Sequence, residues 1–417
     1  MSRRININSF KIIFLLVCIM MTQLVSAKKL KEGSYRGILY LNEEQNLELP
    51  FNFDVIYKGS KPVIVIKNGD ERIEINDIKI KGDSVNFKMP VFDTEFKTIF
   101  EGDNLIGFWI NNYKKVNNKI KFKAFFGSTE RFSFLPGASK FTIEGRWETT
   151  FSPNSVDSSK AIGIFHHLEQ TDFLTGTFLT ETGDYRFLEG IKHGNNIYLS
   201  CFDGSHAFLF VAKIDSNEII NGMFYSGSTW QEPWTAKRNE QFKLNDAESV
   251  TFLKNKNEKI NFSFPDLEKK MVSLSDKKFV NKVIILQIMG SWCPNCMDES
   301  AYLSEVYNQY NNQGLEIIAL AFEKTTDFEL SKRQLLKLKN KFNMQYDILI
   351  TQQSGKESAS KTFNSLNKIS AFPTTIFLNK QHQVVKIHTG FNGPATGIEY
   401  ELFKNNTEKF LNKLLQE

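Results

Sequence analysis

The stretch GSWCPNCMDES, residues 290–300, directly follows the apolar run KVIILQIM, residues 282–289. The apolar run predicts a buried strand. Pro294 favours the start of a helix, because proline has no N–H to lose in the first turn and its φ is already helical. Cys293 and Cys296 therefore lie three residues apart, where a strand ends and a helix begins. Such a pair suits a redox couple, part of a zinc site or a structural disulfide.

The chain around this stretch alternates between strand and helix patterns. The sequence predicts a hairpin at 260–276, a short strand or edge at 346–350, and strands at 282–289, 315–322, 374–379 and 384–390. It predicts helices at 294–311, 329–342, 356–367 and 399–415. Strands that alternate with helices indicate an α/β domain with a mainly parallel central sheet covered on both faces.

The predicted position of Cys293 at a helix N-terminus favours the redox role. Unpaired N–H groups and the helix dipole stabilise an anion there, and only the thiolate form of a cysteine attacks a disulfide. Cys296, one turn further along, is placed to resolve the mixed disulfide by attacking Cys293. Trp292 would shield one flank of the pair and offer a flat apolar surface to a substrate. The chemistry requires no cofactor beyond a redox-active disulfide, Cys293–Cys296.

Other residues suit the same chemistry. In ISAFPTTIF, residues 369–377, Pro373 begins a strand after Phe372, and prolines are tolerated at such a position. A cis Phe372–Pro373 bond beside the cysteines would let the local backbone pair with an incoming peptide. We therefore predict that Phe372 and Thr374 contact substrate; an ordinary trans proline at a sheet edge is the alternative.

Two polar residues are predicted to support the cysteine pair. Gln287 interrupts the apolar strand, and an unpaired buried amide costs about 1–3 kcal/mol, so we expect it to bond water or the thiol of Cys296. A satisfied core amide without a catalytic part is the alternative. Glu299 lies one turn beyond Cys296, where it could assist proton movement or be a solvated helix acid.

Residues 258–417 resemble the TlpA/ResA-type thioredoxin-like family of exported thiol–disulfide oxidoreductases. The matching segments are FSFPDLEKKMVSLSD, GSWCPNC, Glu299 and AFPTTIFLN. The resemblance implies that Cys293 is the attacking thiol, Cys296 the resolving thiol, Pro373 the cis proline and Glu299 the active-site acid. The chain departs from the family at Gln287, where thioredoxins keep a buried Asp and many TlpA-like proteins an Asn, and GSW replaces the usual Ala/Thr-x-Trp. These departures concern proton handling and the redox potential.

The sequence from about Gly33 to Phe242 has a β pattern throughout and repeats itself. Gly33 and Gly145 are 112 positions apart in similar contexts, and so are Gly82 and Gly194. The pattern predicts a duplicated all-β region in which each copy is a small antiparallel barrel or sandwich. The predicted divisions are a β-rich repeat at 28–140, a second at 141–245, a linker at 246–258 and the thioredoxin-like domain at 259–417.

The N-terminus is typical of a secretory signal peptide, predicted at 1–27. Arg3, Arg4 and Lys11 precede or enter an apolar stretch that extends to Met21, and Val25-Ser26-Ala27 offers a cleavage site. An uncleaved anchor is the alternative. Export would place the protein in the periplasm or cell envelope. The formal charge of +5 is nearly balanced once these three residues are removed, so the composition does not favour a nucleic-acid partner.

Other interpretations of the cysteines have weaker support. Zinc needs about four ligands, and the candidates His382 and His388, predicted on one face of a strand, are far downstream; we predict no metal site. A disulfide that closes so short a loop restrains the unfolded chain little. Cys201 is predicted to be a buried small hydrophobe, with a regulatory disulfide as the alternative.

These patterns predict an exported thiol–disulfide oxidoreductase whose partners are protein disulfides or dithiols. The resemblance implies a reductant recharged by a membrane electron donor; an oxidase or isomerase is an alternative. A protein of another class is also compatible with the sequence: an envelope protein whose β-repeats bind a ligand or partner and whose thioredoxin-like domain is mainly a scaffold.

Overall fold

The computed structural model describes residues 28–133, 142–168 and 171–417. The predicted signal peptide lies outside these residues, and so does the predicted boundary between the two repeats at 140–141. No helix among the described residues is both long and apolar enough to cross a membrane.

The first nine strands form one antiparallel sheet in the order β4-β3-β2-β1-β9-β8-β7-β6-β5. Their bounds are β1 Gly33–Asn42, β2 Leu47–Lys58, β3 Lys61–Asn68, β4 Glu71–Ile75, β5 Asp77–Lys81, β6 Ser84–Lys88, β7 Thr94–Glu101, β8 Asn104–Asn111 and β9 Lys119–Phe126. The two edge strands of this sheet, β4 and β5, are consecutive in the chain, and only Asn76 separates them. The sheet therefore curves so that its two edges come close together. Phenylalanine rings fill its interior, as in the stack of Phe51 on Phe122 with centroids 5.9 Å apart.

The second sheet has the order β11-β10-β18-β17-β16-β15-β14-β12-β13, and β11 also pairs with β12, which closes it. Its strands are β10 Gly145–Phe151, β11 Ser159–His167, β12 Phe173–Thr180, β13 Gly183–Asp184, β14 Leu188–His193, β15 Asn196–Phe202, β16 Ala207–Ile214, β17 Ile219–Ser226 and β18 Trp230–Arg238. Each glycine of the predicted repeat has a positive φ, as does its counterpart: +133° and +105° for Gly33 and Gly145, +57° and +58° for Gly82 and Gly194.

The C-terminal part is an α/β domain with a five-stranded sheet in the order β23-β22-β21-β24-β25. Its strands, after the hairpin β19 Ser263–Pro265 and β20 Met271–Ser273, are β21 Val283–Met289, β22 Leu315–Ala321, β23 Asp347–Ile350, β24 Thr374–Leu378 and β25 Val384–Thr389. The α-helices are Ala247–Val250, Pro294–Tyr310, Phe328–Phe342, Gly355–Thr362 and Ile398–Gln416, with 3₁₀ turns at Lys277–Phe279, Asn311–Gln313 and Pro394–Thr396. We call Pro294–Tyr310 the cysteine helix.

The prediction of a mainly parallel sheet is wrong. The strands β21, β22 and β23 are parallel, but β24 pairs antiparallel with β21, and β25 pairs antiparallel with β24. The tight turn at 379–383 accounts for the orientation of β25, because a short turn that joins two neighbouring strands makes them antiparallel.

The predicted linker packs against the α/β domain. Leu253 forms a β-bridge with Leu366, and the side-chain oxygen of Asn367 accepts a bond from Phe252 N–H at 3.0 Å. The hydroxyls of Thr251 and Thr389 lie 2.8 Å apart. The chain therefore enters the α/β domain along a fixed path.

A buried arginine joins the three parts of the molecule. Arg186, only 1% exposed and at φ +63°, forms an ion pair with Glu71 of the first sheet at 2.5 Å. It also pairs with Asp203, which directly follows β15 of the second sheet, at 3.6 Å and with Asp298 of the cysteine helix. One guanidinium thus links both sheets to the helix that begins after Cys293.

Candidate active site

The cysteine helix begins at the predicted position. Cys293 is its N-cap, and its sulfur accepts a hydrogen bond from the backbone N–H of Cys296 at 3.4 Å. Pro294 is in the first turn. Cys293 is 8% exposed and Cys296 is fully buried, and both are free thiols. One sulfur therefore faces the surface, and the other lies beneath it.

The buried thiol is held in its protonated form. Burial raises the pKa of Cys296 well above its ordinary value, and its hydrogen bond with Cys293 raises it further. The thiol of Cys293 donates to the carbonyl oxygen of Phe372 at 3.4 Å. The pair is thus a reduced dithiol in which the outer sulfur receives an N–H and the inner sulfur retains its proton.

The Phe372–Pro373 peptide bond is cis and lies beside the cysteine pair, as the Phe372 contact shows. The Phe372 ring lies 5.8 Å from that of Trp292, centroid to centroid, and the two rings pack edge to face next to Cys293. Thr374, which we predicted to contact substrate, is not exposed to the site. Its side chain is fully buried and its hydroxyl donates to the carbonyl of Ala371 at 2.9 Å, because β24 turns that side chain into the domain.

Gln287 and Glu299 bond to each other. The side-chain amide of Gln287 donates to Glu299 at 2.8 Å and to Ser300 at 3.1 Å, rather than to water or Cys296 as predicted. Thr375, the cross-strand partner of Gln287, donates to the other oxygen of Glu299 at 2.6 Å. Register explains the correction: directly opposed residues on neighbouring strands share one face of the sheet, and this face meets the cysteine helix.

Glu299 is 1% exposed, so the solvated alternative is wrong. Burial raises its pKa to about 7, although the bonds from Thr375 and Gln287 oppose the shift. Its charge also contributes to the raised pKa of Cys296, which places the two groups in electrostatic contact. A carboxyl group that titrates near neutral pH thus lies behind the inner thiol.

A second polar cluster, which the sequence did not predict, lies beside Trp292. Glu323 is buried and accepts bonds from the N–H and hydroxyl of Ser291 at 2.8 and 2.7 Å. Burial raises the pKa of Glu323 to about 7. The ammonium group of Lys324 lies 3.7 Å from the centroid of the Trp292 ring; burial lowers its pKa, and attraction to Cys293 opposes that change. The sequence does contain one indication of this cluster. Glu323 and Lys324 are a charged pair shortly after a buried parallel strand, at the edge where α/β sheets bind ligands.

The raised pKa values predict that stability falls with pH. Between about 4.5, the ordinary pKa of a glutamate, and about 7, folded Glu299 retains a proton that the unfolded chain has released. The free energy of unfolding therefore decreases as pH rises through this window, by about 1.4 kcal/mol per pH unit for each such group. Because an amide does not titrate, Glu299→Gln is expected to remove the contribution of Glu299 and leave that of Glu323. Urea denaturation between pH 4.5 and 7 measures the slope.

Glu305→Gln is the matched control, because Glu305 is an exposed acid on the same helix. It is expected to retain the slope of the unmodified protein. An equal slope for Glu299→Gln would contradict the proton assignment.

A cavity of about 910 Å³ opens over Cys293. The α/β domain contributes six lining residues: Trp292, Cys293, Pro294, Asn295, Lys324 and Phe372. All the others belong to the β-region, most of them to the second sheet. The outer cysteine therefore lies at the floor of a cleft between two parts of the molecule.

The remaining candidates lie elsewhere. His382 is in the turn before β25 and bonds the carbonyl of Phe279 at 2.9 Å, whereas His388 is inside that strand, so the two do not share a strand face as predicted. Burial lowers the pKa of His388 to about 4. In the part of the chain that the structure describes, no group of three or more His, Cys, Asp or Glu side chains could hold a metal. Cys201 is fully buried in β15.

A dithiol at the start of a helix that follows a central strand, with a cis proline beside it, defines the thioredoxin-like class. The Redoxin family model matches residues 254–402. The chain is 30% identical over 156 residues to the thiol-disulfide oxidoreductase ResA of Bacillus thuringiensis subsp. konkukian, which covers 37% of this chain and 75% of the relative. This protein belongs to the ResA family of thiol-disulfide oxidoreductases.

Other relatives match a smaller share of their length. ResA of Halalkalibacterium halodurans is 29% identical over 136 residues, 31% of this chain and 66% of that protein, and for ResA of Bacillus cereus strain ZK the shares are 30% and 64%. The chain thus spans slightly less than two thirds of these relatives. Similar solved structures include a thiol-disulfide oxidoreductase from Bacteroides fragilis, with 21% identity, a TM-score of 0.27 and coverage of 35% of this chain and 99% of that chain.

Proposed function

We propose that the protein is an exported thiol–disulfide oxidoreductase that reduces disulfides of envelope proteins through Cys293 and Cys296. The observation that supports this best is the dithiol itself. Its outer sulfur lies at a helix N-terminus, accepts an N–H bond and faces a cleft, while the inner sulfur is adjacent and fully buried. A structural disulfide would require neither the cleft nor the difference in burial.

The reaction follows from this asymmetry. The Cys293 thiolate attacks one sulfur of a substrate disulfide, forms a mixed disulfide, and releases the other substrate sulfur as a thiolate that takes up a proton. Cys296 then loses its proton and attacks the Cys293 sulfur, which forms the Cys293–Cys296 disulfide and releases the second substrate thiol. Two electrons pass to the substrate. A membrane electron donor would reduce the protein again.

We assign supporting roles to the neighbouring residues. Glu299, with a pKa of about 7, accepts the proton that Cys296 must lose, and Gln287 positions this carboxyl group. Trp292 and Phe372 contact the substrate next to Cys293. Pro373 presents the backbone next to the sulfur.

We further propose that the two β-sheets arose by duplication, which the shared strand succession and the matching glycine conformations support. Their role would be to dock substrates or partners over the cysteine pair. Signal-directed export to the periplasm or cell envelope is part of the same proposal.

Trapping with Cys296→Ser tests the exchange reaction. Without the resolving thiol, mixed disulfides through Cys293 should accumulate and be released by dithiothreitol. The double variant Cys293→Ser/Cys296→Ser should trap nothing. Absence of trapped partners, together with no dithiol-dependent reduction of insulin, would instead favour a binding protein with a thioredoxin-like scaffold.

The redox potential tests the direction of the reaction. A reductant should have a potential of about −270 mV, and an oxidant a potential of about −120 mV. Titration of the Cys293–Cys296 couple against glutathione and dithiothreitol buffers measures it. A potential of about −120 mV would contradict the proposed reductant role and favour an oxidase.

A further inference from the structure

The cleft over Cys293 is built mainly by the second β-sheet. Its wall includes Phe208 of β16, Phe224 of β17 and Trp230 of β18. Trp230 is 57% exposed, although it is a large apolar side chain. The sheet therefore places aromatic surface in a cavity whose floor is the outer cysteine.

Contacts on both sides of Cys293 fix the wall in place. The Ser205 hydroxyl donates to the carbonyl of Trp292 at 3.3 Å. On the other side, Asp184 accepts the N–H of Gly393 at 2.5 Å, and its carbonyl accepts a bond from Asn295 at 3.4 Å. Because these bonds involve the residues directly before and after the Cys293–Pro294 pair, the second sheet is part of the active-site entrance.

Close backbone packing supports the same arrangement. A Cβ atom at Gly390 would lie 2.5 Å from the backbone carbonyl carbon of Thr182, and Cβ atoms in proteins essentially never approach a non-bonded atom so closely. Gly390 also has a φ of +78°, which favours glycine. The hairpin between β12 and β13 therefore packs directly on the loop after β25.

This geometry restricts which disulfides reach Cys293. Exchange requires the substrate sulfur to come within a bond length of about 2.0 Å. A standard protein interface is a broad patch of about 800 Å² on each partner, and such a patch would meet the second sheet before it reached a cysteine that is 8% exposed. A chain segment that extends from its own fold can enter, since the cavity of about 910 Å³ has the size of sites that enclose their ligands.

The chemistry of the wall fits a polypeptide. Charges of both signs line the cleft, with Lys160 and Lys114 against Glu232 and Glu181, next to the aromatic rings. A site for a small anion would present one sign of charge, whereas a mixture of rings and opposite charges suits varied side chains along a chain.

We propose that the cleft is a substrate groove for an extended, cysteine-bearing polypeptide segment, and that the second sheet makes the enzyme selective for disulfides in flexible chains. The proposal rests on the proposed exchange at Cys293. It adds a substrate class and assigns Trp230 to substrate binding.

Three disulfide probes test the groove with the full chain. They are a short linear peptide joined to a second copy of itself by one disulfide, native pancreatic trypsin inhibitor as a compact folded protein, and dithiobis(nitrobenzoic acid) as a small molecule. The expected rate constant for the peptide exceeds that for the folded protein by about tenfold or more. Equal rate constants for these two would overturn the groove proposal. Failure with all three, the small disulfide included, would overturn the proposed function itself.

Variants of exposed aromatic residues locate the groove. Trp230→Ala is expected to lower the rate constant for the peptide by about tenfold, the usual loss for a central aromatic contact. Phe173→Ala, at an exposed phenylalanine of the same sheet that does not line the cleft, is the matched control and is expected to leave that rate constant unchanged. An equal effect of the two substitutions, or none from Trp230→Ala, would overturn the assignment.

Discussion

Replacement of Cys293 by serine is expected to lower the rate constant for disulfide reduction by about 10³-fold or more, because a hydroxyl cannot substitute for the attacking sulfur. No other thiol in the described structure can replace it at the cleft, since Cys296 and Cys201 are fully buried. The decrease should be the same for peptide and small-molecule disulfides. Stopped-flow reduction of both disulfides by the fully reduced protein and by the fully reduced variant measures it.

Two variants serve as controls for this result. Cys296→Ser is expected to retain the first attack and to stop at the mixed disulfide. Cys201→Ala removes a thiol that does not line the cleft and is expected to leave the rate constants unchanged. A Cys293→Ser variant that keeps more than about a tenth of the activity would contradict the assignment of the attacking thiol.

Arg186→Met is expected to lower the free energy of unfolding by about 3–5 kcal/mol, a large loss of stability for a single substitution. The guanidinium is buried among Glu71, Asp203 and Asp298, and its removal leaves these carboxylates without their counter-charge. Neutralisation of Asp203 would be costly as well, because contacts with His206 and Arg186 lower its pKa to about 2 despite burial. Guanidinium denaturation, followed by circular dichroism, measures the loss.

An exposed ion pair gives the matched comparison. Lys58 pairs with Glu74 at 2.7 Å, but both side chains are about half exposed, so Lys58→Met is expected to cost about 1 kcal/mol or less. A loss of similar size for Arg186→Met would show that the buried cluster does not hold the three parts together. A shift of the β-sheet transition without any effect on the α/β domain would contradict the link through Asp298.

The sequence predicted local features of the active site well. Pro294 after Cys293 predicted the helix start, because its ring geometry acts on its own turn. The sequence also allowed a cis bond at Phe372–Pro373, and the structure contains one. Contacts across the sheet were harder to predict: the partner of Gln287 depends on its register with Thr375, which hydrophobic pattern does not specify for a strand buried on both faces.

Contacts between distant parts of the chain could not be predicted. Arg186 joins residues 115 positions before it and 112 after it, and its sequence neighbourhood resembles an ordinary polar turn. The cleft has the same origin, because Trp230 and Cys293 meet only when two domains assemble. A single sequence contains the pattern of each domain but has no local signal for the way they pack.

The closure of the second sheet affects how the protein can associate with other chains. Where β11 pairs with β12, the backbone groups that an open sheet would leave unsatisfied already have partners. A foreign strand therefore finds little template there for addition, which is the usual first step of aggregation between β-rich molecules. The second sheet can therefore line the cleft without offering a free edge at β11 and β12 to another chain.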